Sequence, residues 1–176
     1  AAQNVTTLGA DLKEVEAVAL SHGHSDHTGG MARMTALMGK TNIPLVVHPA
    51  AFKSPRYVKF GEDFKINFPK LTRDMVKLAG LSVIETEKPY PMLDDTILFL
   101  GEVPHATDFE KGWPLPHCQK DGKEEWDPIE DDSSIVMNLK DKGLVILSGC
   151  AHAGIVNTVS YASKVTGVDK IHAVMG

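Results

Sequence analysis

The sequence predicts an α/β domain, and three observations carry that prediction. Within the first 50 residues an apolar run, a polar loop, a helical segment and a second apolar run form a β–loop–α–β unit. Toward the other end, two apolar runs flank a "KDKG" turn as a hairpin. Directly after the hairpin, an amphipathic helix leads into a further strand.

Taken in order, residues 12–20 (LKEVEAVAL) open as a helical turn after Asp11 and become a short buried strand over 17–21. The glycines of "HTGG" close the loop that follows. "MARMTALMG" has helical character, with Gly39 as its stop, and Met31, Met34 and Met38 at core spacing. "IPLVVHP" is the next strand, bounded by prolines. The loop "SHGHSDHTGG", residues 21–30, therefore leaves the carboxyl end of a strand, where α/β folds bind ligands.

Residues 51–130 are less regular. "LSVIETEKPYPML" and "DDTILFLGEV" read as two strands around a turn. Residues 104–131 hold four prolines, both tryptophans and many charges without periodicity. An irregular but ordered loop or lid is expected there, with "KDGKEE" as a solvated turn. Regular patterning returns in "SSIVMNL" and "LVILSG", the two arms of the hairpin, and "CAHAG" is the loop beyond them. In "IVNTVSYASKVTG", Ile155, Val156, Val159, Ala162 and Val165 recur at helical spacing before Gly167. "KIHAVMG" is a last strand with no turn after it, so the sequence is expected to be a cut piece of a longer chain.

A net charge of −5 offers no basic face for nucleic acid and no polybasic membrane anchor. No apolar run approaches the roughly 20 residues that cross a bilayer. Two cysteines, Cys118 and Cys150, are too few for a disulfide framework, so a cytoplasmic location is expected.

The chemistry concentrates in His22-x-His24-x-Asp26-His27. Three imidazoles and a carboxylate in six positions are borderline or hard ligands, suited to zinc, manganese or iron. Residues two apart in a tight turn can face one ion, and the adjacent Asp26–His27 pair points to another side, where it can hold a second. Gly23 lets the chain bend close to the ions.

This HxHxDH loop, after an apolar strand and before "TGG", resembles that of the metallo-β-lactamase-fold hydrolases. The resemblance extends through "TDFEKG", "EDDSSIVMNLKDKGLVILSGCAHAGIVNTV" and "TGVDKIHAVMG" to the branch of the dihydropterin–ribofuranosylaminobenzene phosphate synthases and the hydrolases grouped with them. It implies one domain over 1–176, an αββα sandwich incomplete at both ends, with two divalent ions at its rim. Zinc is the first expectation, with manganese, iron or magnesium as alternatives.

Carried over by position, His22, His24, Asp26 and His27 match the first ligand loop. His152 in "SGCAH" matches the next histidine and joins His22 and His24 on the first ion. Cys150 stands where many relatives place a bridging aspartate, so it is either a thiolate ligand or a small buried thiol beneath the site. "EDDSS" replaces the usual "GHTxG", and Asp131 or Asp132 either supplies a carboxylate or belongs to a solvated loop or strand cap. The "DTG"-like opening strand and the "GGFHL"-type continuation past Gly176 are missing, which leaves the second ion to Asp26 and His27. His48, ending "PLVVH", is a candidate substrate contact or a structural histidine. His105 and His117 read as solvated, and His172 as a core histidine.

The function implied is a metal-dependent hydrolase in which an activated water attacks a small molecule, Asp26 orienting that water. The alternative is a transferase of the dihydropterin synthase type, displacing diphosphate from a phosphorylated substrate. A di-iron redox module is the remaining possibility.

Overall fold

The computed structural model describes residues 2–176. Helix α1 covers Ala2–Leu8 and strand β1 covers Val18–Ala19. Helices α2 (Ser25–Thr28) and α3 (Met31–Met38) lead to β2 (Ile43–Val47) and a 3-10 turn at Pro49–Phe52. Strands β3 (Arg56–Lys59) and β4 (Lys65–Asn67), helix α4 (Arg73–Leu78) and strand β5 (Leu81–Glu85) follow. Then come β6 (Tyr90–Met92), β7 (Ile97–Phe99), β8 (Pro116–Lys120) and β9 (Lys123–Trp126). The chain ends with β10 (Ser134–Leu139), β11 (Gly143–Ser148), α5 (Ile155–Thr166) and β12 (Ile171–Met175).

These strands form three sheets. The first is parallel, in the order β1-β2-β5, and its crossovers carry α2 with α3 and then α4. The second runs β12-β11-β10-β7-β6, antiparallel except where β11 pairs with β12. The third, β4-β3-β8-β9, is antiparallel throughout.

Strand periodicity sets the layers. Successive side chains of a strand point to opposite faces. In β2, Leu45 and Val47 face one way, into a cluster with Met38 of α3 and Val76 of α4. Val46 faces the other way and meets Phe99 of β7, with Ile97 and Ile135 beside it. In the second sheet, Val136, Leu144 and Ile146 turn away from that interior and pack against Ala162 and Val159 of α5. Helices, sheet, sheet, helix is the αββα order. Helix α3 stops at Gly39 and α5 at Gly167, both left-handed, as the sequence predicts.

Several local expectations need correction. Residues 104–131 are not irregular throughout, because β8 and β9 form a hairpin around Asp121-Gly122, both at positive φ. Asp-Gly is a strong signal for such a turn, but β9 is exposed along its length and shows no apolar alternation. The strands β3 and β4 were hidden for a similar reason, β4 being exposed on both faces. "LSVIETEKPYPML" is two strands in different sheets, β5 and β6. His172 is exposed on β12, which is an edge strand. On α5, Ile155 and Val156 are about 40% exposed (40% and 43%), while Asn157 and Thr158 are buried.

Leu45 is wholly buried between β2 and the helices. Leu45→Ala is expected to lower the unfolding free energy by about 2–5 kcal/mol in denaturant titration. Leu78→Ala, on a side chain 87% exposed, should change it by less than about 0.5 kcal/mol.

Candidate metal centre

The HxHxDH loop is built where β1 ends. Leu20 still pairs with β2 through its amide to the Val46 carbonyl, after which the chain turns at Ser21. His24 then caps the single turn of α2, its carbonyl accepting the amides of His27 at 3.0 Å and Thr28 at 3.1 Å. Gly23 lies flat against the 3-10 turn, and a Cβ there would collide with the Ala51 backbone. Only glycine allows the approach.

This turn gathers the histidines. His22 Nε2 and His24 Nδ1 are 3.1 Å apart. Two nitrogens each about 2.1 Å from a tetrahedral ion lie roughly 3.4 Å apart, so the spacing fits a shared ion. The His152 ring stands nearly perpendicular to both, with centroids 4.8 Å from His22 and 5.2 Å from His24. One ligand atom from each of the three lies within 4.8 Å of the others. Nε2 of His24 and Nε2 of His152 are buried with no hydrogen-bond partner among the described residues. Buried polar atoms are normally satisfied, and a cation at the cluster would satisfy that of His152.

A second group adjoins the first. His27 Nε2 is 3.2 Å from Cys150 Sγ, and with His22 these atoms also lie within 4.8 Å of one another. Cys150 is exposed, not a thiol packed beneath the site. Asp26 reaches His27 Nε2 at 3.5 Å but is otherwise open, its side chain 69% exposed. Ser21 Oγ bridges the two groups, 3.3 Å from His22 Nδ1 and 3.1 Å from His27 Nδ1.

His48 is not brought into either group. Its Nδ1 accepts the Ala50 amide at 3.1 Å and caps the 3-10 turn, its ring is buried, and Nε2 lies 4.0 Å from Glu102. His117 bonds the Leu115 carbonyl through Nδ1, and His105 stands edge-on to Trp126.

Two aromatic residues at the site carried no signal in the sequence. Phe68 stacks on His24 at 4.3 Å, and Trp113 lies parallel to His152 at 5.7 Å. Asp131 and Asp132 are almost completely buried, so neither belongs to a solvated loop. Asp131 takes both ends of the Arg56 guanidinium, at 3.0 and 2.9 Å, and the Gly23 amide at 2.6 Å. Asp132 takes the Ala153 amide at 3.0 Å.

Burial, followed by the neighbouring imidazoles, pulls His22 down to about 2. Burial, followed by Arg56, pulls His24 down to about 4, and burial also lowers His152. The rings are neutral near pH 7, the form in which imidazole ligates. Burial alone would raise Asp131, but the Arg56 charge, its hydrogen bonds and the Gly23 amide hold it low. Asp132 and the Cys150 thiol are pushed up, mainly by burial.

The comparisons fit this geometry. A family model described as a β-lactamase superfamily domain matches residues 1–70. Over 99% of its length the chain superposes, with a TM-score of 0.76 and 21% identity, on 60% of a crystal structure described as a metal-dependent hydrolase of the β-lactamase superfamily. This is a metallo-β-lactamase fold. The same fold is shared, at a TM-score of 0.51 and 13% identity, with a quorum-quenching N-acyl homoserine lactone lactonase, 62% of which is covered. In sequence, the metallo-β-lactamase-fold chain is 32% identical, over 98% of its length, to a 7,8-dihydropterin-6-methyl-4-(β-D-ribofuranosyl)-aminobenzene-5'-phosphate synthase of Methanocaldococcus jannaschii. It is also 32% identical, over 96% of its length, to an uncharacterized protein of that archaeon. The chain spans 59% and 62% of those two curated relatives. Among the described residues, no helix is long and apolar enough to cross a membrane.

The metal-free protein should lose stability in acid. His22, His24, His48 and His152 all have folded pKa values below the ordinary 6.5, so the unfolded chain binds more protons below that pH. Their contribution is intact above pH 6.5 and is lost as the pH falls toward 4. Asp132, raised by burial, acts in the opposite sense, as one carboxyl against four imidazoles. The urea midpoint measured in chelator should therefore be lower at pH 5 than at pH 7.5.

Proposed function

We propose that the chain is the metal-binding part of a metal-dependent enzyme, and that its chemistry is hydrolytic. The observation that carries this reading is the cluster of three imidazoles whose ligand atoms lie within 4.8 Å of one another, with the buried Nε2 of His152 left without a partner. In this reading His22, His24 and His152 hold one divalent ion, zinc first among the candidates. Asp26 and His27 hold a second, with Cys150 as a further ligand supported by its 3.2 Å approach to His27.

Ions bound there would lower the pKa of a water toward neutrality and polarise the bond under attack. The chain's own residues do the rest. Ser21 fixes the ring planes of His22 and His27, which sets the directions of their ligating nitrogens. Asp26, on the open side beside His27, orients the attacking water and can accept its proton. Phe68 and Trp113 wall the cluster on two sides and keep bulk water from the imidazoles. A small molecule with an ester, lactam or phosphoester bond suits this arrangement.

A second reading is favoured by one specific observation, the 32% identity over 98% of the chain to the dihydropterin synthase. There the same ligands would clamp a diphosphate leaving group, and Asp26 would have no water to orient. Phosphodiester, carboxyl-ester and pterin-diphosphate substrates, offered to the metal-loaded protein, separate the two. Turnover of the pterin substrate alone would replace the hydrolytic reading.

His24→Ala should abolish loading at the first site by elemental analysis, while Cys150→Ser leaves that ion in place. Loss of the first-site ion in the cysteine variant would overturn the ligand assignment. Iron with visible absorbance in the wild type would favour redox chemistry instead.

A further inference from the structure

We propose that the consecutive carboxylates Asp131 and Asp132 are positioning residues that hold the two histidine loops in register, each gripping one loop by a backbone amide. Asp131 Oδ2 accepts the amide of Gly23, the residue between His22 and His24, at 2.6 Å. Asp132 Oδ2 accepts the amide of Ala153, the residue after His152, at 3.0 Å. The next residue adds a third stitch, the Ser133 amide donating to the Ser21 carbonyl at 2.8 Å.

Neighbouring Cα atoms are about 3.8 Å apart, so one peptide unit measures the distance between the two loops. The ruler is itself anchored. Arg56 forks onto Asp131 with both terminal nitrogens and donates through Nε to Asp127 at 2.5 Å. Asp132 closes the turn before β10 with its own amide, bonded to the Ile129 carbonyl at 2.9 Å.

Capping a strand asks for neither burial nor two acids. Removing two carboxylates from water is costly, and here each is spent on an amide next to an imidazole of the cluster. Neither carboxylate belongs to the groups of potential ligand atoms, and the oxygen of Asp132 left buried without a partner, Oδ1, is not the one that grips the Ala153 amide. Both therefore act through the loops, by fixing the distance from the His22–His24 pair to His152. This inference rests on the proposal that those three histidines share an ion.

The test is zinc affinity, measured by competition with a chromophoric chelator, together with the visible spectrum of the cobalt-loaded protein. Asp132→Ala and Asp131→Asn, whose side-chain NH2 must face either the Gly23 amide or the Arg56 guanidinium, should each weaken zinc binding by about 10–100-fold and alter the cobalt spectrum. Asp132→Asn keeps an oxygen to accept the Ala153 amide and should recover most of that loss. Val76→Ala, on the buried face of α4, is the control for general destabilisation and should leave zinc affinity unchanged. Wild-type affinity in both Asp132→Ala and Asp131→Asn would overturn the proposal, as would an equal loss in Val76→Ala. Zinc bound equally by wild type and His24→Ala would overturn the metal reading beneath it, and this proposal with it.

Discussion

Asp131 joins all three sheets at one buried carboxylate. Its oxygens take the Gly23 amide just beyond β1, in the first sheet, and the Arg56 guanidinium of β3, in the third. Asp131 itself leads into β10, in the second. A buried ion pair is a weak source of net stability, since desolvation offsets most of the attraction, but removing one partner costs about 3–5 kcal/mol. Arg56 meets that condition by touching Asp127 as well, so its positive charge is met by two carboxylates. An apolar cluster of equal volume could join the sheets as firmly. It could not offer a directed acceptor to the amide between two histidines.

The imidazole cluster follows from that constraint. Four rings are packed together: His22, His24 and His152 edge to face, and His27 tilted against His22 with centroids 4.2 Å apart. None of His22, His24 and His152 gains a proton cheaply, because burial opposes it, joined at His22 by the neighbouring imidazoles and at His24 by Arg56. Bringing them together without a cation leaves the buried Nε2 of His152 unsatisfied. A cation at the cluster would remove that cost and stabilise the fold, by about 4 kcal/mol at a thousandfold excess over its dissociation constant. Since the rings are already neutral near pH 7, loading there needs little proton release.

What the sequence made legible was local. The β–loop–α–β unit, the β10–β11 hairpin and the two glycine-stopped helices are written in neighbouring residues, by periodicity and by Gly39 and Gly167. The histidine loop was legible because its residues lie within six positions. The burial of Asp131 was not, because it depends on Arg56, 75 residues earlier, and an acidic run beside a strand ordinarily reads as solvated. His48 was read from its place at the end of β2, but the Pro49–Phe52 turn that follows takes its Nδ1 as a cap. The helix α5 was read correctly in extent but only partly in face: Val159 and Ala162 pack inward as read, while Ile155 and Val156 are exposed and Asn157 is buried by polar bonds that no apolar pattern records.

Those bonds explain how an irregular segment can shape a site. Asn157 Oδ1 accepts the amides of Ala106 and Thr107, and its Nδ2 donates to Glu110 and Ala153 carbonyls. Glu110 in turn accepts the amides of Val156 and Asn157 at the start of α5. It does so over Gly154, at φ 101, where a Cβ would meet its carboxylate. The segment is thus sewn to the helix that follows the His152 loop, and Trp113 comes to lie parallel to His152. Phe68 reaches His24 by a similar route, its amide held by the Arg56 carbonyl at 2.9 Å just past β4. Both aromatic walls, and the guanidinium that anchors Asp131, therefore come from the third sheet and the chain leading into it. The sandwich supplies the histidine loops, but their surroundings are set by partners distant in sequence, which is why the least periodic part of the chain shapes the cluster most.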